Sequence, residues 1–330
     1  MNETEQALSE SAFLAEIDAS ERNPLRILAT LAGGLGGGFL VGLLFGAIVL
    51  AIYVTASGPL VTDPTILGAR VSALLNTASV SLTSTLTVMT LAAATNGPWA
   101  ATFLGIAALI NRRRIRDYLT AAPRFRWRLI GAGLVLSAIA LAPVVAIGQL
   151  TDPHAQRPPV LALTPDLSAR VLYVVASVAL LIPAAAAEEA LFRGWLLRQT
   201  GAFTRNPILL MAINGVLFSA VHGEFAPDPF LTRALMGAGF VYMTLRLGGI
   251  EFSIGAHAAN NILIVLFIEP LTLKASQGGG VSLDSMFQQA FLFASYVAMA
   301  EVTARWAPLR RWSGADRALP APATLSGPWS

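Results

Sequence analysis

The chain has 330 residues, of which 55% are hydrophobic and 12% are charged, and its formal net charge is +3. Because a soluble domain usually carries about 25% charged residues, this composition excludes the ordinary soluble class and predicts an integral membrane protein. The absence of cysteine excludes disulfides, thiolate catalysis and cysteine metal sites, and the small net charge indicates no nucleic-acid partner.

The N-terminal segment, residues 1–25, is polar and acidic. It has neither the basic start nor the short apolar core of a secretory signal, so we expect a cytoplasmic tail followed by an uncleaved transmembrane helix. A spanning helix needs roughly 20 apolar residues, and we read about eight candidates within a transmembrane domain over residues 26–306. The predicted spans are 26–54, a part of 82–110, 129–149, 168–199, 207–222, 230–247, 252–268 and 286–304.

Two of these spans have unusual compositions. The first contains five glycines between residues 33 and 38, which favours close packing of membrane helices. The second contains Asn96-Gly97-Pro98, where we expect a break in the helix. The predicted fold is an all-α, polytopic bundle of about eight transmembrane helices, followed by a disordered cytoplasmic tail over residues 307–330.

Arginine is concentrated in the loops on one side of the predicted bundle. The loop between the second and third spans holds seven arginines from Arg112 to Arg128, and Arg198 and Arg246 fall on the same side. By the positive-inside rule, this side and both termini should be cytoplasmic. Lys274 is the only lysine, and this arginine-rich composition favours a GC-rich, bacterial genome and hence a bacterial plasma membrane.

The fourth span contains the charged cluster Glu188-Glu189-x-x-x-Arg193 in its apolar sequence. A charge in an apolar helix costs about 2.5–3.5 kcal/mol on insertion scales, so it needs a reason to be there. Glu189 and Arg193 are four residues apart and can form an ion pair on one helix face, which would be a purely structural role. Glu188 points about 100° away from Glu189 and lacks a local partner, so it is the better candidate for a carboxylate that faces a cavity.

Two further pairs of residues have the same four-residue spacing. Phe218 and His222 share a face at the end of the fifth span, and His257 and Asn261 share a face of the seventh. Taken alone, His222 is typical of an interfacial residue with Glu224 as a loop partner. His257 and Asn261, taken alone, are typical of an interhelical hydrogen bond.

Together, the three patterns resemble the motifs of the CPBP family of type II CAAX prenyl endopeptidases. They read Glu188-Glu189-x-x-x-Arg193, Phe218-x-x-x-His222 and His257-x-x-x-Asn261. Each pattern is weak alone, but the three occur in the order of the family on three apolar helices. The resemblance covers about residues 168–268 and implies an intramembrane endopeptidase that acts on a peptide or a membrane protein in the lipid bilayer.

The resemblance also implies roles for the motif residues. Glu188 would activate a water with assistance from His222, while His257 and Asn261 would stabilise the oxyanion. Peptide hydrolysis needs such an activated water and such donors. The other motif residues would support the site: Glu189, Arg193 and Phe218.

Metal dependence stays open at this stage. Glu188, His222 and His257 would make a two-histidine, one-carboxylate zinc set, but the chain lacks the H-E-x-x-H helix that is a stronger zinc signal. A metal-free, glutamate-activated water is slightly preferred. The third histidine, His154, lies in a proline-rich loop and is interpreted as solvated.

One geometric condition must be met for the motifs to converge. His257 lies 8 residues beyond the Gly248-Gly249 turn, which is roughly 12 Å along a helix, whereas the other motif residues lie deeper. The turn would therefore have to dip into the protein.

Two other functions compete with the peptidase. A non-catalytic membrane scaffold, or a bacteriocin-immunity-type protein, could use the same helices to bind a partner. A small-solute transporter would also place ionisable residues in the membrane, but the chain shows no repeated halves and no paired broken helices. Nothing in the sequence indicates that a substrate is prenylated.

Overall fold

The computed structural model describes residues 3–15, 17, 19–56, 58, 63–74, 80–151, 155–272 and 280–317. His154 and most of the predicted tail, from residue 318 onward, lie outside these ranges. Within them the fold is helical, and the β-type contact they contain is a single isolated bridge between Thr120 and Gly249.

Thirteen α-helices are formed by the described residues, together with short 3₁₀ turns. The helices are α1 (Glu3–Ser9), α2 (Pro24–Ala56), α3 (Pro64–Leu74), α4 (Leu82–Asn111), α5 (Trp127–Thr151), α6 (Pro159–Ala162), α7 (Leu167–Glu189), α8 (Leu197–Gly201), α9 (Pro207–Ala220), α10 (Pro227–Leu247), α11 (Glu251–Phe267), α12 (Leu283–Arg305) and α13 (Ala307–Ser313). A π-helical turn over Ala190–Leu196 joins α7 to α8.

The eight predicted spans all fall on helices, and the polytopic helical membrane bundle is confirmed. Four helices of the described chain are long and apolar enough to cross a membrane: α2, α4, α5 and the continuous helix Leu167–Gly201. The apolar helices α9 and α11 are shorter, while α10 and α12 are long but carry more polar residues. Large apolar side chains such as Phe39, Leu43 and Ile139 point outward, as expected for a surface in contact with lipid.

Helix α2 packs along α4 through its glycines, as the sequence predicted. Gly34 faces the ring of Phe103 and Gly38 faces the indole of Trp99, and neither position has room for a Cβ atom. The expected break in the second span is wrong, because α4 continues through Pro98 without interruption. Proline removes only one backbone donor, and helices packed against neighbours in a membrane tolerate that loss.

The turn between α10 and α11 does dip into the protein. Gly248 adopts a positive φ of 70°, and the backbone on either side of it bonds to the segment that precedes α5: Ala121 N–H donates to Gly248 O at 2.9 Å, and Ile250 N–H donates to Leu119 O at 3.0 Å. The next nine residues of α11, as far as Ala259, are all buried. The start of α11, and with it His257, is therefore placed inside the bundle.

A buried ion pair fixes this turn. Arg126 and Glu251 are joined by two hydrogen bonds, Nε to Oε1 at 3.0 Å and Nη2 to Oε2 at 2.8 Å, and Arg126 Nη1 also donates to Leu247 O at 2.8 Å. Both side chains are fully buried. Arg126 was counted among the orientation signals in the sequence, but its side chain has this specific structural partner.

The acidic N-terminal segment packs against the arginine-rich end of the bundle. Phe13 and Leu14 are fully buried, and Ser11 Oγ donates to Leu245 O at 2.6 Å. The carboxylate of Glu21 pairs with Arg113 at 2.5 Å. This packing is not predictable from the sequence, because a few apolar residues in an acidic segment do not form a periodic pattern.

Candidate active site

The two glutamates of the first motif lie where the fourth span changes its helical pitch. Glu188 and Glu189 end α7, and the π-helical turn begins at the next residue. Within this turn the Leu197 N–H donates to Phe192 O, five residues earlier. Single π-helical turns inside α-helices occur frequently at functional sites, and this one brings the two carboxylates and Arg193 into the interior of the bundle.

Glu189 lies at the centre of a buried network. Its Oε1 accepts from Arg193 Nη1 at 3.0 Å and from His257 Nδ1 at 2.9 Å. The side chains of Glu189 and Arg193 are fully buried. The ion pair inferred from the four-residue spacing is therefore present, and it also holds a histidine from another helix.

Aromatic rings enclose the guanidinium of Arg193. Its Cζ atom lies 4.3 Å from the ring centroid of Phe218 and 5.0 Å from that of Phe240, which are distances typical of cation–π contacts. Arg193 Nη2 also donates to Gly237 O at 3.2 Å. Phe218 of the second motif thus packs directly on the arginine of the first.

His257 is fixed in orientation by Glu189. Because an ionised carboxylate can only accept a hydrogen bond, His257 Nδ1 carries the proton in this contact. The ring stacks on Phe240, with centroids 5.1 Å apart. Its Nε2 then faces the other glutamate, 3.7 Å from Glu188 Oε2.

Glu188 has a different environment from its neighbour. Its side chain is 26% exposed, and Oε1 accepts a long hydrogen bond from Asn96 Nδ2 at 3.5 Å. Its Oε2 is buried and has no hydrogen-bond partner among the described residues. Within the described chain no arginine pairs with it, so Glu188 keeps an unused acceptor next to His257.

A cavity of about 410 Å³ opens in front of Glu188. Its walls are largely apolar side chains from α2, α4, the π-helical turn and α9, such as Leu35, Trp99 and Phe192. The polar residues among its lining are Glu188, Asn96 and His222. The cavity can therefore admit an extended peptide or an apolar side chain beside a few polar groups.

His222 lies on the open side of this cavity, in the turn after α9. Its Nδ1 contacts the backbone carbonyl of Phe218 at 2.7 Å, and a carbonyl can only accept, so Nδ1 is the donor. That leaves Nε2 as the nitrogen available to the cavity. Glu224, the alternative loop partner, pairs with Arg233 at 2.5 Å.

Of the four predicted catalytic residues, Glu188 and His222 line the cavity, whereas the lining includes neither His257, which contacts Glu188, nor Asn261. Asn261 lies one turn beyond His257 on α11, and its Oδ1 accepts from Asn260 Nδ2 at 3.5 Å. Its side chain is not part of the cavity lining. Asn260 lines a separate cavity between α5, α10, α11 and α12.

The possible zinc set consists of Glu188, His222 and His257, and the Nδ1 atom of each histidine makes a hydrogen bond while Nε2 makes none among the described residues. The described part of the chain contains no group of three or more histidine, aspartate or glutamate side chains arranged to hold a metal ion. His257 uses Nδ1 for Glu189 and His222 uses Nδ1 for a carbonyl, while Glu188 Oε2 and His257 Nε2 lie 3.7 Å apart. Histidine ligands of metals also commonly donate the other ring N–H to a carboxylate or a carbonyl.

The sequence analysis missed two residues of the cavity, Asn96 and Trp99. Asn96 was seen only as part of a possible helix break, although an amide inside an apolar span is itself a signal of interhelical hydrogen bonding. Trp99 carried no motif. Both lie on α4, which makes that helix a wall of the site.

Comparisons with known proteins agree with the resemblance in the motifs. Residues 170–263 match the family described as type II CAAX prenyl endopeptidase Rce1-like, so the predicted family resemblance is confirmed for this segment. It includes Glu188, His222 and His257, and a protease-type, intramembrane fold is thereby supported for it.

A relative in Bacillus subtilis (strain 168), the uncharacterized protein YyaK, is 32% identical over 182 residues. The aligned region spans 52% of this chain and 57% of that protein. No solved structure matches the chain.

Proposed function

We propose that the protein is an intramembrane endopeptidase that hydrolyses a peptide bond with a water activated by Glu188. The observation that carries the proposal is the contrast between two adjacent glutamates. Glu189 neutralises Arg193 and orients His257 through Oε1, whereas Glu188 lines the cavity, pairs with no arginine of the described chain and keeps Oε2 free of hydrogen bonds, 3.7 Å from His257 Nε2. A general base has to keep such a free acceptor within reach of its water.

The first chemical step is proton transfer from water to Glu188. A water at an ordinary hydrogen-bond distance of about 2.8 Å from Glu188 Oε2 can also contact His257 Nε2, because the two atoms are 3.7 Å apart. The hydroxide oxygen then attacks the scissile carbonyl carbon to give a tetrahedral oxyanion. In the second step the C–N bond breaks, and the proton held by Glu188 goes to the leaving amine.

His257 and His222 are proposed to assist at opposite sides of Glu188. In its protonated form, His257 donates from both nitrogens, and its Nε2–H can then hold the oxyanion while Nδ1 stays on Glu189. His222 reaches the cavity through Nε2 and can share the proton of the water or of the leaving amine. A preorganised donor of this kind commonly contributes 10²–10³ in rate.

Asn261 is proposed as a second donor to the oxyanion on the strength of the resemblance. Its amide bonds Asn260 in the structure, so this role requires a rotamer that turns the amide toward His257. Asn96, which already lies on Glu188, is a donor that needs no such change. Substituting Asn261 and Asn96 separately distinguishes their contributions to the cleavage rate.

We propose that the reaction needs no metal, since the described residues contain no group of three or more histidine, aspartate or glutamate side chains arranged to hold a metal ion. Exhaustive dialysis against 1,10-phenanthroline should leave cleavage unchanged. Loss of cleavage that is restored by Zn²⁺ would contradict this part of the proposal. The proposed setting is a bacterial plasma membrane with both termini cytoplasmic, and the proposed substrate is a peptide or a membrane protein.

The experiment compares new protein termini in membranes of cells that express the wild-type chain or one of two variants. Glu188→Gln keeps the shape of the side chain but removes the base, and Glu269→Gln makes the same change at an exposed position away from the cavity. We expect termini that appear with the wild type and with Glu269→Gln and are absent with Glu188→Gln. If Glu188→Gln yields the same termini, Glu188 is not the base. If no expressed form yields any, while a cellular phenotype persists, the scaffold function takes precedence.

A further inference from the structure

The arginine-rich end of the bundle contains a second polar cavity, remote from the candidate active site. Its volume is about 540 Å³. It lies where the segment before α5 meets the end of α13, which packs against α5. Its lining is Arg124, Phe125, Arg126, Trp127, Arg128, Ser313 and Arg317.

The positive charge around this cavity is only partly neutralised by carboxylates of the described chain. Arg126 is neutralised by Glu251, but Arg124, Arg128 and Arg317 are exposed, and the structure shows no carboxylate within ion-pair distance of them in the described ranges. No acidic residue belongs to the lining. Three like charges around one space raise the local potential and attract an anion.

Exposed tryptophans surround the same end of the bundle. Trp127 is 74% exposed and packs edge-on against Phe125 with ring centroids 4.8 Å apart. Trp306 and Trp312, which flank and end α13, are 59% and 52% exposed. Tryptophan is enriched where a membrane protein crosses the headgroup region, so the cavity lies at the depth of lipid phosphates.

We propose that this cavity binds the phosphate headgroup of an anionic phospholipid. Guanidinium groups match phosphate oxygens with paired hydrogen bonds, and basic pockets between transmembrane helices are suited to such headgroups. The exposed tryptophan rings provide the adjacent apolar surface for the glycerol and the upper acyl chains. The other wall residue, Arg126, holds the start of α11, so the bound lipid lies directly beside the ion pair that positions His257.

Native mass spectrometry of the full chain, released from detergent, tests the proposal. The probes are dioleoyl-phosphatidylglycerol, the zwitterionic dioleoyl-phosphatidylcholine and inorganic phosphate. An arginine near a charged membrane surface contributes about 1 kcal/mol, or about fivefold in affinity. The triple variant Arg124→Gln/Arg128→Gln/Arg317→Gln should therefore bind phosphatidylglycerol on the order of 100-fold more weakly than the wild type.

Arg112→Gln is the matched control. Arg112 is exposed at the same end of the bundle and does not line the cavity, so this variant should bind phosphatidylglycerol as the wild type does. Equal binding of the two lipids by the wild type would overturn the proposal, and so would unchanged binding by the triple variant. Tight binding of inorganic phosphate without phosphatidylglycerol would assign the cavity to a free anion and also overturn it.

Discussion

The same substitution at two adjacent glutamates should change stability by very different amounts. Glu189→Gln removes the counter-charge of Arg193, whose side chain is fully buried. Breaking a buried ion pair from one side typically costs about 3–5 kcal/mol, because a charge is left uncompensated. The aromatic contacts of Arg193 with Phe218 and Phe240 exist in both proteins, so they do not offset this loss.

Glu188→Gln should change the free energy of unfolding by less than about 1 kcal/mol. The side chain is 26% exposed, and its one hydrogen bond among the described residues, from Asn96, is 3.5 Å long. An uncharged amide can replace that contact. The two variants should thus differ by at least about 2 kcal/mol in stability, although both should lose cleavage activity.

Reversible unfolding by SDS in mixed micelles measures this difference. The double variant Glu189→Gln/Arg193→Met serves as the control, because removal of both members of a buried pair is often neutral or stabilising. We expect it to recover most of the stability lost in Glu189→Gln. Equal stability of Glu188→Gln and Glu189→Gln, or no recovery in the double variant, would refute the assignment of Glu189 as the partner of Arg193.

Two further predictions concern α2 and α4. Gly38→Ala should lower the free energy of unfolding by about 1–3 kcal/mol, because the added Cβ would overlap the indole of Trp99. Gly36→Ala should be neutral or slightly stabilising, since nothing lies within 4 Å of that Cβ position. SDS unfolding of both variants measures the difference. Asn96→Ala should slow cleavage by about 5–30-fold, the equivalent of one or two kcal/mol, while stability stays nearly unchanged. Single-turnover kinetics measures the cleavage rate. A rate equal to that of the wild type would show that Asn96 does not assist Glu188.

Much of the helical framework could be predicted because the signals are local. Apolar length identifies spans, and the spacing of Glu189 and Arg193 identifies an ion pair on one face. The glycines between residues 33 and 38 indicated close packing correctly. The apparent break at Pro98 was misleading because a neighbouring helix supports α4 there, and that support is a tertiary effect.

The contacts that could not be predicted connect residues far apart in the chain. Arg126 and Glu251 are separated by 125 positions, and each looks like an ordinary interfacial charge in the sequence. The N-terminal segment is held by arginines from distant parts of the chain, such as Arg113, which pairs with Glu21. The apolar residues of the segment show no periodic pattern. Such pairs form only if the helices begin at the right depths in the bundle. The residues around each member of a pair do not indicate that depth.

In the proposed mechanism, the arrangement of the first motif gives the two consecutive glutamates different roles. A buried arginine needs a counter-charge, and it would attract the nearest carboxylate. With Glu189 bound to Arg193 through one side of the π-helical turn, the neighbouring Glu188 pairs with no arginine of the described chain and keeps its acceptor oxygen beside His257. If position 189 were neutral, Glu188 would become the closest charge of opposite sign to Arg193, and an ion pair would reduce its strength as a base. The second glutamate therefore protects the chemistry of the first, in addition to orienting the histidine that faces it.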